Sequence, residues 1–165
     1  MRLIKLVLIS IVALFAIITG IAALLPSHVR ISRAIDINAP ASHIYPKLAD
    51  VRQWDSWNEY IRFYHNKRPE SDRLMSEEIT ITLDQKSDTL VTASWQQASG
   101  SKFGSGYQLI SYPGSSLHTT LQWYFDFNVK WYPWEKFQSI VYDEQLGPVM
   151  EKSLQNLKEQ VEQSK

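Results

Sequence analysis

Histidine is the side chain whose ordinary pKa lies nearest neutrality, so His28, His43, His65 and His118 are the first places to look for proton transfer or metal binding. They are scattered over strand, helix and loop, and no pair has H-E-x-x-H or another ligand spacing, so no metal site is expected. Glu77 and Glu78 are adjacent at the start of a strand, where neighbouring side chains point to opposite faces and cannot serve one centre as acid and base. The run GSKFGSG from Gly100 to Gly106 has glycines and a lysine, but neither Walker nor G-x-S-x-G spacing, and reads as a hairpin turn. Asp126 alternates outward beside Phe125 and Phe127, and Asp143 and Glu144 fall on a terminal helix whose polar face is solvated by default. No catalytic constellation emerges, and no cofactor is expected.

Rings offer more than charges. Six Trp, eight Tyr and six Phe are many for 165 residues and point to a core or cavity walled by large side chains. Trp95, Trp123 and Phe125 share apolar strand faces, while Phe137, Val141 and Met150 share a helical stripe; these six line any pocket, or else fill a core. A second aromatic feature, Lys130-Trp131-Tyr132-Pro133-Trp134, suits either a membrane headgroup zone or packing at a helix entrance, and packing is the reading the sequence favours.

The elements that position these residues follow from periodicity. Residues 29 to 37 alternate as a strand, with Ala34 shifted out of phase by Arg33. Pro40 then opens a short amphipathic helix on Ile44, Leu48 and Val51, and Trp54 and Trp57 mark a second brief helix whose rings cap the core. Residues 66 to 76 are polar and aperiodic and read as an exposed loop. Ile79, Ile81 and Leu83 form a hairpin with Val91, Ala93 and Trp95. Phe103 to Tyr112 is a strand in which Gly104 and Gly106 mark a bulge or a close backbone approach. After a turn at Pro113 to Ser116, Leu117, Thr119, Leu121, Trp123, Phe125 and Phe127 occupy one face of the longest alternating run. From Trp134 onward, spacings of three and four predict one long C-terminal helix, interrupted at Gly147-Pro148. One apolar sheet face and one apolar helix stripe must bury each other, which predicts an α+β domain with a curved antiparallel sheet around the terminal helix.

Ahead of this domain, Leu6 to Leu25 is an uncharged apolar run of the length a helix needs to cross a bilayer. A cleaved secretory signal is the rival, but its apolar stretch is shorter, and an uncleaved single-pass anchor is favoured. The chain therefore divides into residues 1–27, a membrane anchor, and residues 28–165, one domain. Arg2 and Lys5 place the N-terminus in the cytoplasm and the domain outside, in the periplasm of a Gram-negative cell, although Arg30 and Arg33 pull the other way. Seventeen basic and seventeen acidic residues leave no net field for nucleic acid. The absence of cysteine excludes disulfides and thiolate metal sites.

The chain resembles the START/polyketide-cyclase superfamily with the helix-grip fold, the SRPBCC proteins. The resemblance is carried by Ser32-Arg33-Ala34-Ile35-Asp36-Ile37-Asn38-Ala39-Pro40, Leu48-Ala49-Asp50 with Trp54-Asp55-Ser56-Trp57, Pro133-Trp134-Glu135-Lys136-Phe137, and Leu154-Gln155-Asn156-Leu157-Lys158. It implies a hydrophobic cavity between sheet and terminal helix, used for lipids, polyketides and other apolar ligands, and does not imply one reaction. The middle departs from the common pattern, with a strand count one or two short. The expectation is a membrane-anchored protein that binds a lipid or another hydrophobic small molecule without covalent chemistry. The alternatives are a cyclase or dehydratase, with Tyr107, Tyr142 or His118 as proton donor, and a non-catalytic interaction module at the membrane.

Overall fold

A computed structural model describes residues 2–112 and 115–163. Helix α1 (Arg2–Leu24) precedes strand β1 (His28–Ile37), then α2 (Ala41–Ala49), a 3-10 turn (Val51–Gln53), α3 (Trp54–Trp57) and α4 (Glu59–Arg62). Strands β2 (Arg68–Pro69), β3 (Arg73–Met75), β4 (Ile79–Ser87), β5 (Leu90–Gln97), β6 (Lys102–Tyr112) and β7 (Ser115–Asn128) follow, and helices α5 (Pro133–Ile140) and α6 (Tyr142–Gln163) close the chain. The expected turn at Pro113 and Gly114 lies outside the described residues.

All neighbouring strands are antiparallel, in the order β1-β7-β6-β5-β4-β3-β2. This is a curved seven-stranded sheet with a long C-terminal helix, the α+β arrangement expected from patterning and the helix-grip fold that the resemblance implies. Inward residues alternate along the strands: Ile79 and Ile81 on β4, Val91, Ala93 and Trp95 on β5, Leu121, Trp123 and Phe125 on β7. Helix α6 turns Met150, Leu154, Leu157 and Val161 onto them. Trp54 and Trp57 do cap the core and are fully buried. Their indole N–H groups donate to the Leu48 and Lys47 carbonyls, which fixes the short helices against α2.

Four local expectations are corrected. Residues 66–76 are not wholly loop, because Arg68–Pro69 and Arg73–Met75 pair as edge strands β2 and β3 and restore the strands that seemed missing; only Leu74 is buried, too little for periodicity to register. Strand β1 has no shift at Arg33, since its register with β7 runs unbroken from His28–Asn128 to Ile37–Thr119. Arg33 simply occupies a position on the helix side and reaches α6, donating to Asp143 at 2.9 and 3.1 Å and to Glu151 at 2.7 Å. Leu117 shares the parity of its neighbours but lies where β7 outruns β1, and is exposed. The terminal helix breaks at Val141, not at Gly147-Pro148. A proline is costly partly because its ring strikes the Cβ of the preceding residue. Gly147 has no Cβ, and the missing hydrogen bond falls on the exposed side, so α6 runs on through Pro148. The same glycine lets β1 approach, because a Cβ there would meet the Arg33 guanidinium.

Helix α1 is long and apolar enough to cross a membrane, and almost all of it is exposed; a signal sequence has the same properties. Its end is held by the domain. The buried Lys136 ammonium on α5 donates to the Leu25 carbonyl at 2.9 Å and to Ser27 Oγ at 2.8 Å, and the Val129 amide donates to the Ser27 carbonyl at 2.8 Å.

Candidate functional site

A helix-grip fold offers ligand space between its sheet and its terminal helix. Here the space is occupied by rings. Trp54, Trp57, Trp95, Tyr107, Trp123 and Phe125 are all fully buried. Tyr107 stacks on Trp123 at 5.3 Å between centroids and meets Trp54 edge-on at 5.2 Å; Trp95 stacks on Phe103 at 5.7 Å. Such offset and edge-on contacts are the geometries in which ring quadrupoles attract. The polar ends are mostly paired: Trp95 Nε1 donates to Ser105 Oγ at 2.7 Å, and Asn58 Nδ2 donates to the Tyr107 hydroxyl at 3.4 Å. Trp123 Nε1 is buried and unpaired among the described residues, a cost of about 1–3 kcal/mol that the packing offsets.

Of the six residues expected to line a pocket, Trp95, Trp123, Phe125 and Met150 are thus brought together in the interior. Phe137 and Val141 are not with them: Phe137 lies on α5 and Val141 at its C-terminal break, 41% and 38% exposed, because that break turns α5 away from the sheet.

The ring series continues outward. Phe125 is followed on β7 by Phe127, whose ring lies 5.0 Å from Phe103 and 4.8 Å from Tyr142. These rings form the inner wall of a cleft of ≈ 590 Å³ between the β5–β6 hairpin and helices α5 and α6. Tyr60, Val129 and Leu146 complete the apolar part, while Gln97, Ser101, Lys102, Asn128, Glu135 and Gln138 stand among its polar lining. The volume falls in the range that takes a small-molecule ligand, roughly 300–1,000 Å³. None of the six expected lining residues borders it. Its signal in the sequence was Phe127, the last member of the alternating run, followed by the polar Asn128.

Burial, then the nearby Glu135 charge, raises the Tyr142 phenol above its usual pKa, so it remains a neutral hydroxyl at neutral pH. Glu135 is itself engaged, accepting from the Lys130 amide at 3.1 Å. The other two candidate proton donors are elsewhere: Tyr107 is sealed in the core, its pKa pushed well up by burial, and His118 is exposed on the opposite face of β7. Among the described residues, no group of three or more His, Cys, Asp or Glu could hold a metal ion.

Comparison with known proteins agrees with this architecture. Residues 28–162 match the profile of a family described as polyketide cyclase / dehydrase and lipid transport. A protein of unknown function from Staphylococcus aureus has a similar structure, with TM-score 0.64 at 12% identity over 83% of this chain and 95% of that one. A START superfamily protein from Mycobacterium smegmatis has TM-score 0.58 at 18% identity over 82% of this chain and 99% of its own. A Thermobifida fusca protein has TM-score 0.57 at 14% identity, over 80% and 92%. At such identities the likeness is one of fold. No curated protein matches the sequence.

Proposed function

Because the chain belongs to the polyketide cyclase, dehydrase and lipid-transport family, we propose that it is a membrane-anchored helix-grip protein that holds an amphiphilic, lipid-like molecule at its open cleft, without covalent chemistry. Residues 1–27 are the anchor and residues 28–165 the binding domain, on the outer side of the membrane by the charges of Arg2 and Lys5. The observation that carries this reading is the composition of the cleft. Phe103, Phe127, Tyr142 and Leu146 provide an apolar wall for a chain or ring, and Gln97, Lys102, Asn128 and Gln138 provide donors for a polar or anionic end. Glu135, the carboxylate nearest Tyr142 in the cleft, is already held by the Lys130 amide, which favours holding over turnover.

The test is to extract the full chain in native-membrane nanodiscs and compare its bound small molecules with the bulk membrane by mass spectrometry. A species enriched on the wild type and lost from both Phe127→Asp and Leu146→Trp is expected; the second variant fills the cleft without adding charge. Identical profiles for wild type, variants and bulk membrane would remove the proposal. That outcome would favour the second reading, an interaction module, for which the ring-filled interior speaks.

A further inference from the structure

Helix α5 leaves an apolar face that its own chain covers only in part, Phe137 and Val141 more than Trp134 and Ile140. Pro133, Lys136 and Ser139 form its buried stripe, and Glu135 and Gln138 turn to the cleft. The third face carries Trp134, Phe137, Ile140 and Val141 at helical spacings of three and four, and Trp131 precedes it. Trp131, Trp134 and Ile140 are 65%, 62% and 59% exposed, far more than large apolar side chains in a packed domain. The rings of Trp131, Tyr132 and Trp134 stand in a row, 4.7 and 4.9 Å apart.

The position of this face says what covers it. Lys136 bonds the carbonyl of Leu25, one residue beyond the end of α1, so α5 is fixed where the apolar helix ends. A bilayer crossed by α1 has its headgroup zone at that level, and this is the zone in which Trp and Tyr accumulate and amphipathic helices lie flat. We propose that α5 is an interfacial helix that seats the domain on the bilayer, with Trp134, Phe137, Ile140 and Val141 in lipid and the cleft opening beside the membrane surface. Lys136 is the joint that makes the anchor and the seat one rigid unit. The inference rests on α1 crossing the membrane, but not on the cleft having a ligand.

The chain has no cysteine, so single cysteines introduced into the full-length protein take a nitroxide label at one place each. In phosphatidylcholine and phosphatidylglycerol vesicles, collisions with oxygen report lipid and collisions with a nickel chelate report water. Trp134→Cys and Ile140→Cys should favour oxygen over nickel, and Gln138→Cys, on the next face, should reverse that order. A Leu14→Cys label checks the span separately. If Leu14 is in lipid while Ile140 and Trp134 meet nickel as Gln138 does, the seating is wrong and the anchor stands. If Ile140 and Trp134 are shielded from both reagents, the face is covered by protein, such as a second copy, and the proposal is overturned. A Leu14 label in water removes both.

Discussion

Trp95 tests whether the interior is packing or pocket. It is fully buried, stacks on Phe103 and Trp54 with centroids 5.7 and 6.1 Å away, meets Phe125 edge-on at 5.5 Å, and donates to Ser105 Oγ at 2.7 Å. In Trp95→Ala the lost transfer energy and the resulting cavity cost about 3–5 kcal/mol. Stranding the buried Ser105 hydroxyl adds about 1 kcal/mol, less than a full desolvation penalty because it can turn to a backbone carbonyl. A total of about 4–6 kcal/mol is a large fraction of the ~5–15 kcal/mol that holds a domain together. At roughly 2–4 °C per kcal/mol for a chain of this size, the midpoint of thermal unfolding falls by about 10–20 °C.

The vacated space has the shape of an indole, so indole should restore stability. A ligand at ten times its dissociation constant contributes RT ln 11, about 1.4 kcal/mol, and raises the midpoint by about 3–5 °C. The assay is thermal unfolding of the full chain in nanodiscs, with and without indole, for wild type and variant. A loss under about 2 kcal/mol would mean that Trp95 already moves aside and the interior is not filled. Stabilisation of the wild type by indole would lead to the same conclusion.

Two further outcomes follow from pairs on the sheet. Gly106 sits opposite Tyr124, whose ring occupies the place a Cβ would take, while the Arg30 guanidinium lies 4.2 Å above that ring and donates to Asp126. Gly106→Ala therefore displaces the ring and destabilises by about 1 kcal/mol in the wild type. In a Tyr124→Ala background it stabilises by about 0.5–1 kcal/mol through chain entropy, and the same sign in both backgrounds in urea unfolding would refute the account. The second outcome concerns acid. Arg33, first by its hydrogen bond and then by its charge, holds the Asp143 carboxyl below its usual pKa, so this contribution is complete above the unfolded pKa near ~4 and is lost as pH falls through the lower folded value. Arg33→Met should show a smaller drop in unfolding midpoint between pH 5 and pH 3 than the wild type, and an equal drop would show that the Arg33–Asp143 bridge carries none of the acid sensitivity.

The fold was legible wherever one face is buried and the other wet, because the strand period of two then appears in the residues. Leu121, Trp123 and Phe125 show it, and so do Ile79 and Ile81. Strands β2 and β3 were not legible, since pairing of two or three residues is recorded in backbone hydrogen bonds rather than side-chain polarity. Phe137 and Val141 kept a helical period with Met150, yet periodicity is continuous across a break that reorients the helix, so it assigned them to the wrong surface. The cleft was hidden for a further reason. Its lining comes from α4, from the β5–β6 hairpin, from the end of β7 and from two helices, and no short sequence window contains that combination.

A filled interior also changes how a member of this family could take a ligand. If Trp54, Trp57, Trp95, Tyr107 and Trp123 are packed as a solid, a lipid chain cannot enter without displacing rings that each bury roughly 150–250 Å². At about 25 cal/mol per Å², exposing even one such ring costs roughly 4–6 kcal/mol, comparable to the whole binding energy of a millimolar-to-micromolar ligand. Binding at the outer end of the ring series avoids that cost, because Phe127 and Tyr142 are already partly exposed. The physical economy therefore favours shallow capture at the cleft over engulfment. If α5 seats the domain on a bilayer as proposed, such a shallow site would lie beside the phase from which a lipid-like ligand would come.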